Sequence, residues 1–322
     1  MRFSPAMHGK FISDHSMPVY IGGAELNAAT ALALWNQPTR YITALPQNSL
    51  ADDIIQFIND KNIDTDFINR SGDRIGSYYL PQGTDLKGSA VIYDRNYSSF
   101  SFLKPGQIDW DTALKDVSWF HFSAISPALN EEVANVCLEG AKAARAKGIT
   151  VSIDLNYRAK LWQYGKPPTQ IMPALAAQCD VVMGNIWAAN SLLAIPITIE
   201  GSINKSKEEL SAAAQKSMAL LQQQFPAAKT MAYTFRLEET YFACLHHKET
   251  FTTSQEYDIS QVVDKVGSGD CFMGGLIYGI TNELKNDALI NFAATAAILK
   301  LKQTGDATTS TIADIEKNTK HG

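Results

Sequence analysis

The 322-residue sequence has few of the features that mark secreted, membrane or nucleic-acid-binding proteins. Its four cysteines are widely spaced and form no CxxC pair, which argues against a disulfide framework or a zinc site. The net charge is −5 with no long basic run, so nucleic acid is not an expected partner. No apolar run approaches the roughly 20 residues that span a bilayer, and no leader-like segment opens the chain. These absences predict a cytoplasmic protein with reduced cysteine thiols and no membrane partner.

The order of apolar segments predicts an α/β fold with a mostly parallel central sheet. Strand-like runs occur at residues 41–45, 117–122, 150–155, 180–183 and 230–235. Helical patterns start at Ala51 and Asn130 and cover residues 169–178, 186–193 and 205–224. Such alternation is typical of βαβ units whose helices cover both faces of a sheet. With neither an internal repeat nor a linker, residues 1–322 are expected to form a single domain.

Two segments, residues 11–21 and 76–102, interrupt this alternation. In the second, the apolar and tyrosine-rich runs are separated by Pro81, Gly83 and Gly88 instead of helices. This pattern predicts antiparallel strands joined by turns. A small antiparallel flap beside a parallel sheet would serve as a lid that excludes water from a reactive site.

The segment from Gly267 to Asp270 is the strongest indication of chemistry. Gly267, Ser268 and Gly269 are small and precede an apolar helix, so the unpaired N–H groups at its start can bind phosphate oxygens as an anion hole. Asp270 lies beside that site and could take the proton of an attacking hydroxyl. The alternative is a glycine-rich turn in which Asp270 caps the helix. The Gly-Lys-Ser/Thr ending of a P-loop is absent.

A second glycine signal lies near the start of the chain. Gly22 and Gly23 precede a helical pattern over residues 28–35, and Asn27 follows them. Paired glycines let a small ligand approach the backbone, and the Asn27 amide can bind hydroxyl groups. A structural turn followed by a helix cap is the alternative.

Together, Gly22-Gly23 with Asn27 and Asp264-x-x-Gly-x-Gly-Asp270 resemble the two signatures of the ribokinase-like, PfkB-type carbohydrate kinases. The resemblance covers nearly the whole chain. It implies a three-layer α/β/α domain with a β lid, ATP with Mg²⁺, and transfer of a phosphoryl group to a hydroxymethyl group. No metal ligand is assigned to a particular residue.

Within that family the chain most resembles the 2-keto-3-deoxygluconate kinases. The similar segments are Gly76-Ser77-Tyr78-Tyr79, residues 91–95, residues 154–158 and Thr234-Phe235-Arg236. The resemblance implies that Tyr79, Tyr93, Arg95 and Arg158 line the substrate pocket and that Asp306 binds a substrate hydroxyl. An acidic sugar needs a cation, and a guanidinium can hold a carboxylate with two hydrogen bonds. Alternatively, the tyrosines pack the lid, the arginines form surface ion pairs, and Asp306 caps a turn.

The resemblance also indicates residues for ATP. Asn185 matches the start of the family's Asn-x-x-Glu motif, which organises Mg²⁺ and phosphate, but the fourth residue is Ala188. Thr234 and Arg236 match residues near the ATP phosphates, together with Gly267 and Gly269. A monovalent cation near ATP is left open. Lys265 replaces a threonine common in the wider family, and a basic residue there is familiar among ketodeoxygluconate kinases.

Two expectations concern the ends and edges of the chain. Residues 2–5 match the segment that follows the first β-strand in these kinases, so about a dozen residues of that strand are expected upstream. The apolar strand at residues 91–93 favours pairing between lids in a homo-oligomer.

Three functions are consistent with the sequence. The first is an ATP-dependent 2-keto-3-deoxygluconate kinase that phosphorylates the terminal hydroxyl. The second is a kinase of the same fold for another sugar, such as fructose, or for a nucleoside. The third is a non-catalytic sugar-binding homologue, suggested by Ala188 and by the expected missing strand.

Overall fold

The structure, a computed structural model, describes residues 1–5, 9–82 and 91–319. The strands are β1 Arg2–Phe3, β2 Val19–Tyr20, β3 Thr39–Arg40, β4 Thr43–Leu45, β5 Ile63–Asp64, β6 Ile68–Arg70, β7 Ser77–Tyr79, β8 Ile92–Asp94, β9 Trp119–Ser123, β10 Thr150–Asp154, β11 Val181–Gly184, β12 Thr230–Arg236, β13 Thr240–His247, β14 Thr250–Thr253 and β15 Tyr257–Asp258. The helices are α1 Ala24–Leu34, α2 Ser49–Asn59, α3 Trp110–Ala113, α4 Glu131–Ala146, α5 Pro168–Ala176, α6 Ile186–Leu193, α7 Lys207–Gln224, α8 Ser268–Thr281, α9 Asn286–Leu301 and α10 Ile312–Thr319, with a 3₁₀ turn at Phe100–Phe102.

The chain forms two compact units. The first contains the described residues of 1–103, 259–284 and 291–322, and the second contains residues 104–258 and 285–290. The second unit therefore interrupts the sequence of the first at two places. None of the helices in the described part of the chain is both long and apolar enough to cross a membrane.

The second unit contains a seven-stranded sheet. Its strands follow the order β14-β13-β12-β11-β10-β9, and β15 pairs with β13. The four strands from β9 to β12 are parallel, whereas β13, β14 and β15 are antiparallel to their neighbours. β10 and β11 are almost entirely buried, as expected for the middle of a parallel sheet covered by helices. The predicted α/β class with a mostly parallel sheet is confirmed.

The first unit contains a four-stranded sheet in the order β2-β1-β7-β8, which we call the lid sheet. β7 and β8 are antiparallel, with Tyr78 opposite Tyr93, as predicted for residues 76–102. The turn predicted between them, including Gly83 and Gly88, lies outside the described residues. The prediction for residues 11–21 was wrong in extent, because only Val19–Tyr20 form a strand. Residues 11–15 form a turn, and Pro18 has no N–H for a ladder.

β1 is a strand of the lid sheet and lies between β2 and β7. It pairs antiparallel with β2 and parallel with β7. Residues 2–3 therefore take part in a sheet themselves, a role that the sequence did not predict. The expectation of a further strand upstream stays a prediction.

Small residues set the position of α8 in the first unit. A Cβ atom on Gly274 would lie 3.1 Å from Cβ of Ala31 on α1, and one on Gly275 would lie 2.7 Å from Cα of Ala293 on α9. Side chains larger than hydrogen would push the helices apart. These glycines allow α8 to pack closely on both neighbours, which places its first turn beside α1 and beside the loop that follows α9.

Candidate active site

Helix α8 begins directly after a residue in the left-handed conformation. Gly267 has φ 79° and ψ −1°, a region that favours glycine, and it precedes the first helical residue, Ser268. Among the described residues no side chain caps this end. Because the first N–H groups of a helix have no partner within it, residues 268–270 present donors and a partial positive charge. We call Gly267 to Asp270 the phosphate turn.

Asp270 lies in the first turn of α8 and is not its N-cap. Its side chain is 8% exposed, and the Nδ2 atom of Asn27 on α1 donates to its Oδ2 at 2.7 Å. The same amide's Oδ1 atom is buried and has no hydrogen-bond partner among the described residues. The two motifs, 243 residues apart in sequence, thus meet through one hydrogen bond. The alternative in which Asp270 caps the helix is wrong, because Gly267 occupies that position.

The backbone carbonyl of Asp306 packs against Gly267 of the phosphate turn. Asp306 is 3% exposed, and the Tyr78 hydroxyl donates to its Oδ2 at 3.1 Å. A Cβ atom on Gly22 would overlap this carboxylate, so a glycine is required there. Burial raises the pKa of Asp306, and the neighbouring Arg2 opposes that shift. Asp306 is thus a partner of protein groups, while its predicted role as a hydroxyl ligand stays a prediction.

One face of the lid sheet presents a cation between aromatic rings. The Arg95 guanidinium carbon lies 5.2 Å from the ring centroid of Tyr93 and 5.5 Å from that of Tyr78. Successive strand residues point to opposite faces. Tyr79 therefore points away from Tyr78, and its ring stacks on Phe3 at 5.2 Å. The structure brings Tyr93 and Arg95 together with Tyr78, and it does not bring Tyr79 to the same face.

In the second unit, the predicted residues lie at the carboxyl ends of three adjacent parallel strands. Arg158 follows β10, Asn185 follows β11, and Thr234 and Arg236 are the fifth and last residues of β12. Ligands of parallel α/β sheets bind at this edge. Thr234 and Arg236 also share one face of β12, since they are two residues apart. Their predicted roles toward ATP and substrate are consistent with this placement and stay predictions.

The motif from Asn185 to Ala188 is the segment that the family resemblance assigns to Mg²⁺. The Asn185 Oδ1 atom accepts a hydrogen bond from the Ala188 N–H at 2.8 Å, which makes Asn185 the N-cap of α6. Ala188 itself has no oxygen on its side chain. The described residues contain no group of three or more histidine, cysteine or acidic side chains placed to hold a metal. This motif therefore does not fit the role of a metal anchor.

Sequence reasoning missed Arg2 and Tyr78. Arg2 is fully buried and contacts Asp264 and Asp306, which lie 262 and 304 residues further along the chain. No local pattern indicates so distant a pair. For Tyr78 a partial signal was available, because side chains alternate along a strand, so Tyr78 and Tyr79 had to lie on opposite faces. Which face carries Arg95 is shown only by the structure.

An uncapped helix N-terminus beside a buried carboxylate has the donors and the acceptor that phosphoryl transfer uses. The family is shown by sequence: residues 8–313 match the model described as pfkB family carbohydrate kinase. The chain belongs to this family and has its ribokinase-like fold. It is accordingly a transferase that binds ATP and acts on an alcohol acceptor, and kinases of this family use ATP with Mg²⁺.

Three similar proteins indicate the range of relatives. A 2-dehydro-3-deoxygluconokinase structure from Thermotoga maritima has 33% identity and a TM-score of 0.89, and the match covers 99% of this chain and 96% of that one. A 2-dehydro-3-deoxygalactonokinase from Haloferax volcanii is 26% identical, covering 98% of this chain and 93% of the relative. A 5-dehydro-2-deoxygluconokinase from Geobacillus thermodenitrificans is 24% identical, and the match covers 86% of this chain and 77% of the relative. All three relatives are named as kinases of dehydro-deoxy sugar acids.

Proposed function

We propose that the chain is an ATP-dependent 2-keto-3-deoxygluconate kinase that phosphorylates the terminal hydroxyl and releases 2-keto-3-deoxy-6-phosphogluconate and ADP. The observation that carries the proposal is the hydrogen bond of 2.7 Å between Asn27 and Asp270, by which a residue of the Gly22-Gly23 motif contacts the carboxylate of the phosphate turn. The relatives' names support the substrate class.

Asp270 acts in this proposal as the general base. The substrate hydroxyl approaches its carboxylate, and the proton passes to Asp270 as the new O–P bond forms and the bond to ADP breaks. Asn27 donates to the base through Nδ2, and its unpartnered Oδ1 accepts a hydrogen bond from the sugar. The N–H groups of the phosphate turn stabilise the charge on the phosphoryl oxygens. ATP supplies the phosphoryl group.

Arg95 supplies the reason for an acidic substrate. Its guanidinium lies beside the Tyr93 and Tyr78 rings on the lid sheet. A cation held by aromatic faces can bind a carboxylate with two hydrogen bonds, and a neutral sugar would leave those donors without a charged partner. We therefore assign Arg95 to the substrate carboxylate, and Arg158 is a second candidate on the same chemical ground.

The substrate is tested by ADP release from MgATP with 2-keto-3-deoxygluconate, 2-keto-3-deoxygalactonate, 5-keto-2-deoxygluconate, fructose and ribose. The highest kcat/KM is expected for 2-keto-3-deoxygluconate. A preference for fructose or ribose would overturn the acidic substrate and keep the kinase. No transfer to any acceptor, with intact binding of ATP and sugar, would favour the non-catalytic alternative.

Arg95→Met is expected to raise KM for 2-keto-3-deoxygluconate about 10- to 100-fold, the range for losing a charge-assisted hydrogen bond, with a small change in kcat. KM for a neutral sugar should change much less. Steady-state kinetics on both acceptors measures the difference. Arg70→Met removes a guanidinium from a surface pair with Asp52 and is the matched control. An equal rise in KM on both acceptors would contradict a role in carboxylate recognition.

Asn27→Ala is expected to lower kcat/KM about 10- to 100-fold, because the buried Asp270 carboxylate loses a donor and the sugar loses an acceptor. Asn27→Asp should be more damaging, since it places a second carboxylate against Asp270. Kinetics combined with thermal unfolding separates the two effects. If Asn27→Ala and Asn27→Asp keep full activity, the proposed contact does not serve catalysis.

The proposed homo-oligomer uses the edges of the lid sheet. β2 and β8 are its outer strands, and Val19 and Ile92 on them are 50% and 55% exposed. Exposed apolar edge strands favour pairing between subunits. This part of the proposal stays a prediction, as do the ATP contacts of Asn185, Thr234 and Arg236.

A further inference from the structure

A group of four charged side chains lies buried beneath the phosphate turn. Arg2, Asp264 and Lys300 are 0% exposed, and Asp306 is 3% exposed. We call these four residues the buried charge cluster. Lysine, arginine and aspartate are almost never fully buried unless they are paired. Two cations and two carboxylates balance here, and the reaction proposed above assigns no role to Arg2, Asp264 or Lys300.

Arg2 joins the two carboxylates. Its Nη2 atom lies 2.8 Å from Asp264 Oδ2 and its Nη1 atom 3.4 Å from Oδ1. Its Nε atom lies 2.8 Å from Asp306 Oδ1, which makes an ion pair. The angle at the Nε–H group does not meet hydrogen-bond geometry. The guanidinium also lies 4.3 Å from the Tyr20 ring centroid. Arg2 is therefore held on three sides.

Asp264 connects this pair to the phosphate turn. Its Oδ1 accepts from the Val266 N–H at 3.1 Å, and its Oδ2 accepts from the Gly305 N–H at 3.2 Å. A Cβ atom on Gly267 would overlap the carbonyl oxygen of Asp306, so the phosphate turn rests directly on the loop 303–306. The position of that loop thus determines where the N–H donors of the phosphate turn point.

Lys300, at the end of α9, supplies the second cation. Its ammonium donates to the Gln303 carbonyl at 3.1 Å, and its Cε atom lies 3.5 Å from where a Cβ of Gly267 would be. Burial lowers the pKa of Lys300, and the Asp264 charge opposes the shift. An ammonium held by a loop carbonyl near two carboxylates has the surroundings that an alkali cation would have. The covalent stem of the side chain keeps it there.

We propose that the Lys300 ammonium is a tethered monovalent cation that positions the phosphate turn, in place of an inorganic ion. Lys300 is thus a positioning residue: it acts through loop 303–306 and Asp264 and does not contact the reacting atoms. The inference rests on the proposed role of the phosphate turn. Its consequence is that the wild-type enzyme needs no added K⁺, and that removal of the ammonium creates a requirement for one.

The test compares the wild type, Lys300→Ala and Lys300→Met in ADP release with MgATP and the best acceptor. Each is assayed in tetramethylammonium, sodium, potassium and methylammonium chlorides at constant ionic strength. Wild-type kcat should vary less than about twofold among the salts. The kcat of Lys300→Ala should fall at least about tenfold in tetramethylammonium, because the buried charge cluster is left with one cation for two carboxylates. Potassium or methylammonium should restore the kcat of this variant, and the kcat should reach a plateau as the concentration of the cation rises.

Two variants separate positioning from a general effect on stability. Lys300→Met fills the space without a charge, so it should lose activity and gain nothing from either cation. Lys302→Ala removes an exposed lysine two residues away and should behave as the wild type. Thermal unfolding of each variant is measured in the same salts. Cation-dependent recovery of kcat that exceeds any change in the melting temperature supports positioning.

Several results would overturn the proposal. One is a wild-type enzyme whose kcat requires K⁺. Another is a fall in the kcat of Lys300→Ala that no cation restores. A third is a Lys302→Ala variant with the same loss of kcat and the same response to cations as Lys300→Ala. If Lys300→Ala does not fold, the salt series on the wild type still tests the proposal, because a wild-type kcat that requires K⁺ would overturn it. Failure of the keto-acid substrate is distinguishable, because the same series can be run on any sugar that is phosphorylated. If no acceptor is phosphorylated, the Kd of ADP is measured by calorimetry in each salt and is compared in place of kcat.

Discussion

Asp270→Asn is expected to lower kcat about 10²- to 10⁴-fold, the range of a lost general base. The substitution keeps the size of the side chain and leaves an oxygen that can accept from Asn27, whose Nδ2 atom lies 2.7 Å from the carboxylate. What it removes is the capacity to take a proton. The Kd of ATP and that of the sugar, measured by calorimetry, should therefore change little while turnover is lost.

A surface carboxylate provides the control for this substitution. Asp53 is exposed on α2 of the same unit, and Asp53→Asn should leave kcat unchanged. A parallel fall in sugar affinity and turnover in Asp270→Asn would show that the carboxylate organises the site without serving as the base. Turnover that survives in Asp270→Asn would remove the central assignment of the proposed function.

Gly267→Ala is expected to disrupt the phosphate turn and to destabilise the first unit. Alanine at φ 79° costs about 1–2 kcal/mol from backbone conformation alone. In addition, the new methyl group would overlap the Asp306 carbonyl, which is backbone and can move only with loop 303–306. We expect a clear fall in the melting temperature, together with weaker ATP binding. Thermal unfolding and calorimetric titration with ADP measure the two effects.

Gly106→Ala is the matched control, because Gly106 has φ 81° and no atom within 4 Å of the added Cβ. It carries the same backbone cost without the overlap. The difference between the two variants therefore isolates the contact between the phosphate turn and Asp306. If both variants lose the same stability and both bind ADP normally, the turn does not depend on that contact.

The regular part of the fold was predictable because its strands and helices have local signals. The helical pattern over residues 186–193 predicted α6, and Ile186–Leu193 is the helix observed. The prediction for α5 was shifted by a residue or two at each end, a typical uncertainty for helix boundaries. β13, β14 and β15 were not predicted, although their antiparallel pairing extends the sheet of the second unit.

The chemistry of the site was partly predictable for the same reason. The glycine pair with Asn27 and the small residues before Asp270 are compact motifs, and the structure joins them by a hydrogen bond. The partners of Asp306 were not predictable, because Tyr78 and Arg2 reach it over 228 and 304 residues of sequence. Alternation along β7 separates Tyr78 from Tyr79, but the sequence does not indicate which of the two shares a face with Arg95.

The pairing of Arg2 with Asp264 and Asp306 has a consequence for synthesis of the protein on the ribosome. All strands of the seven-stranded sheet lie between residues 119 and 258, so this sheet can close before Asp264 and Asp306 are translated. Arg2, by contrast, precedes its two partners by 262 and 304 residues. A nascent chain must keep a guanidinium destined for burial in water until both partners have been made. We therefore expect the buried charge cluster to form late in folding, after the seven-stranded sheet.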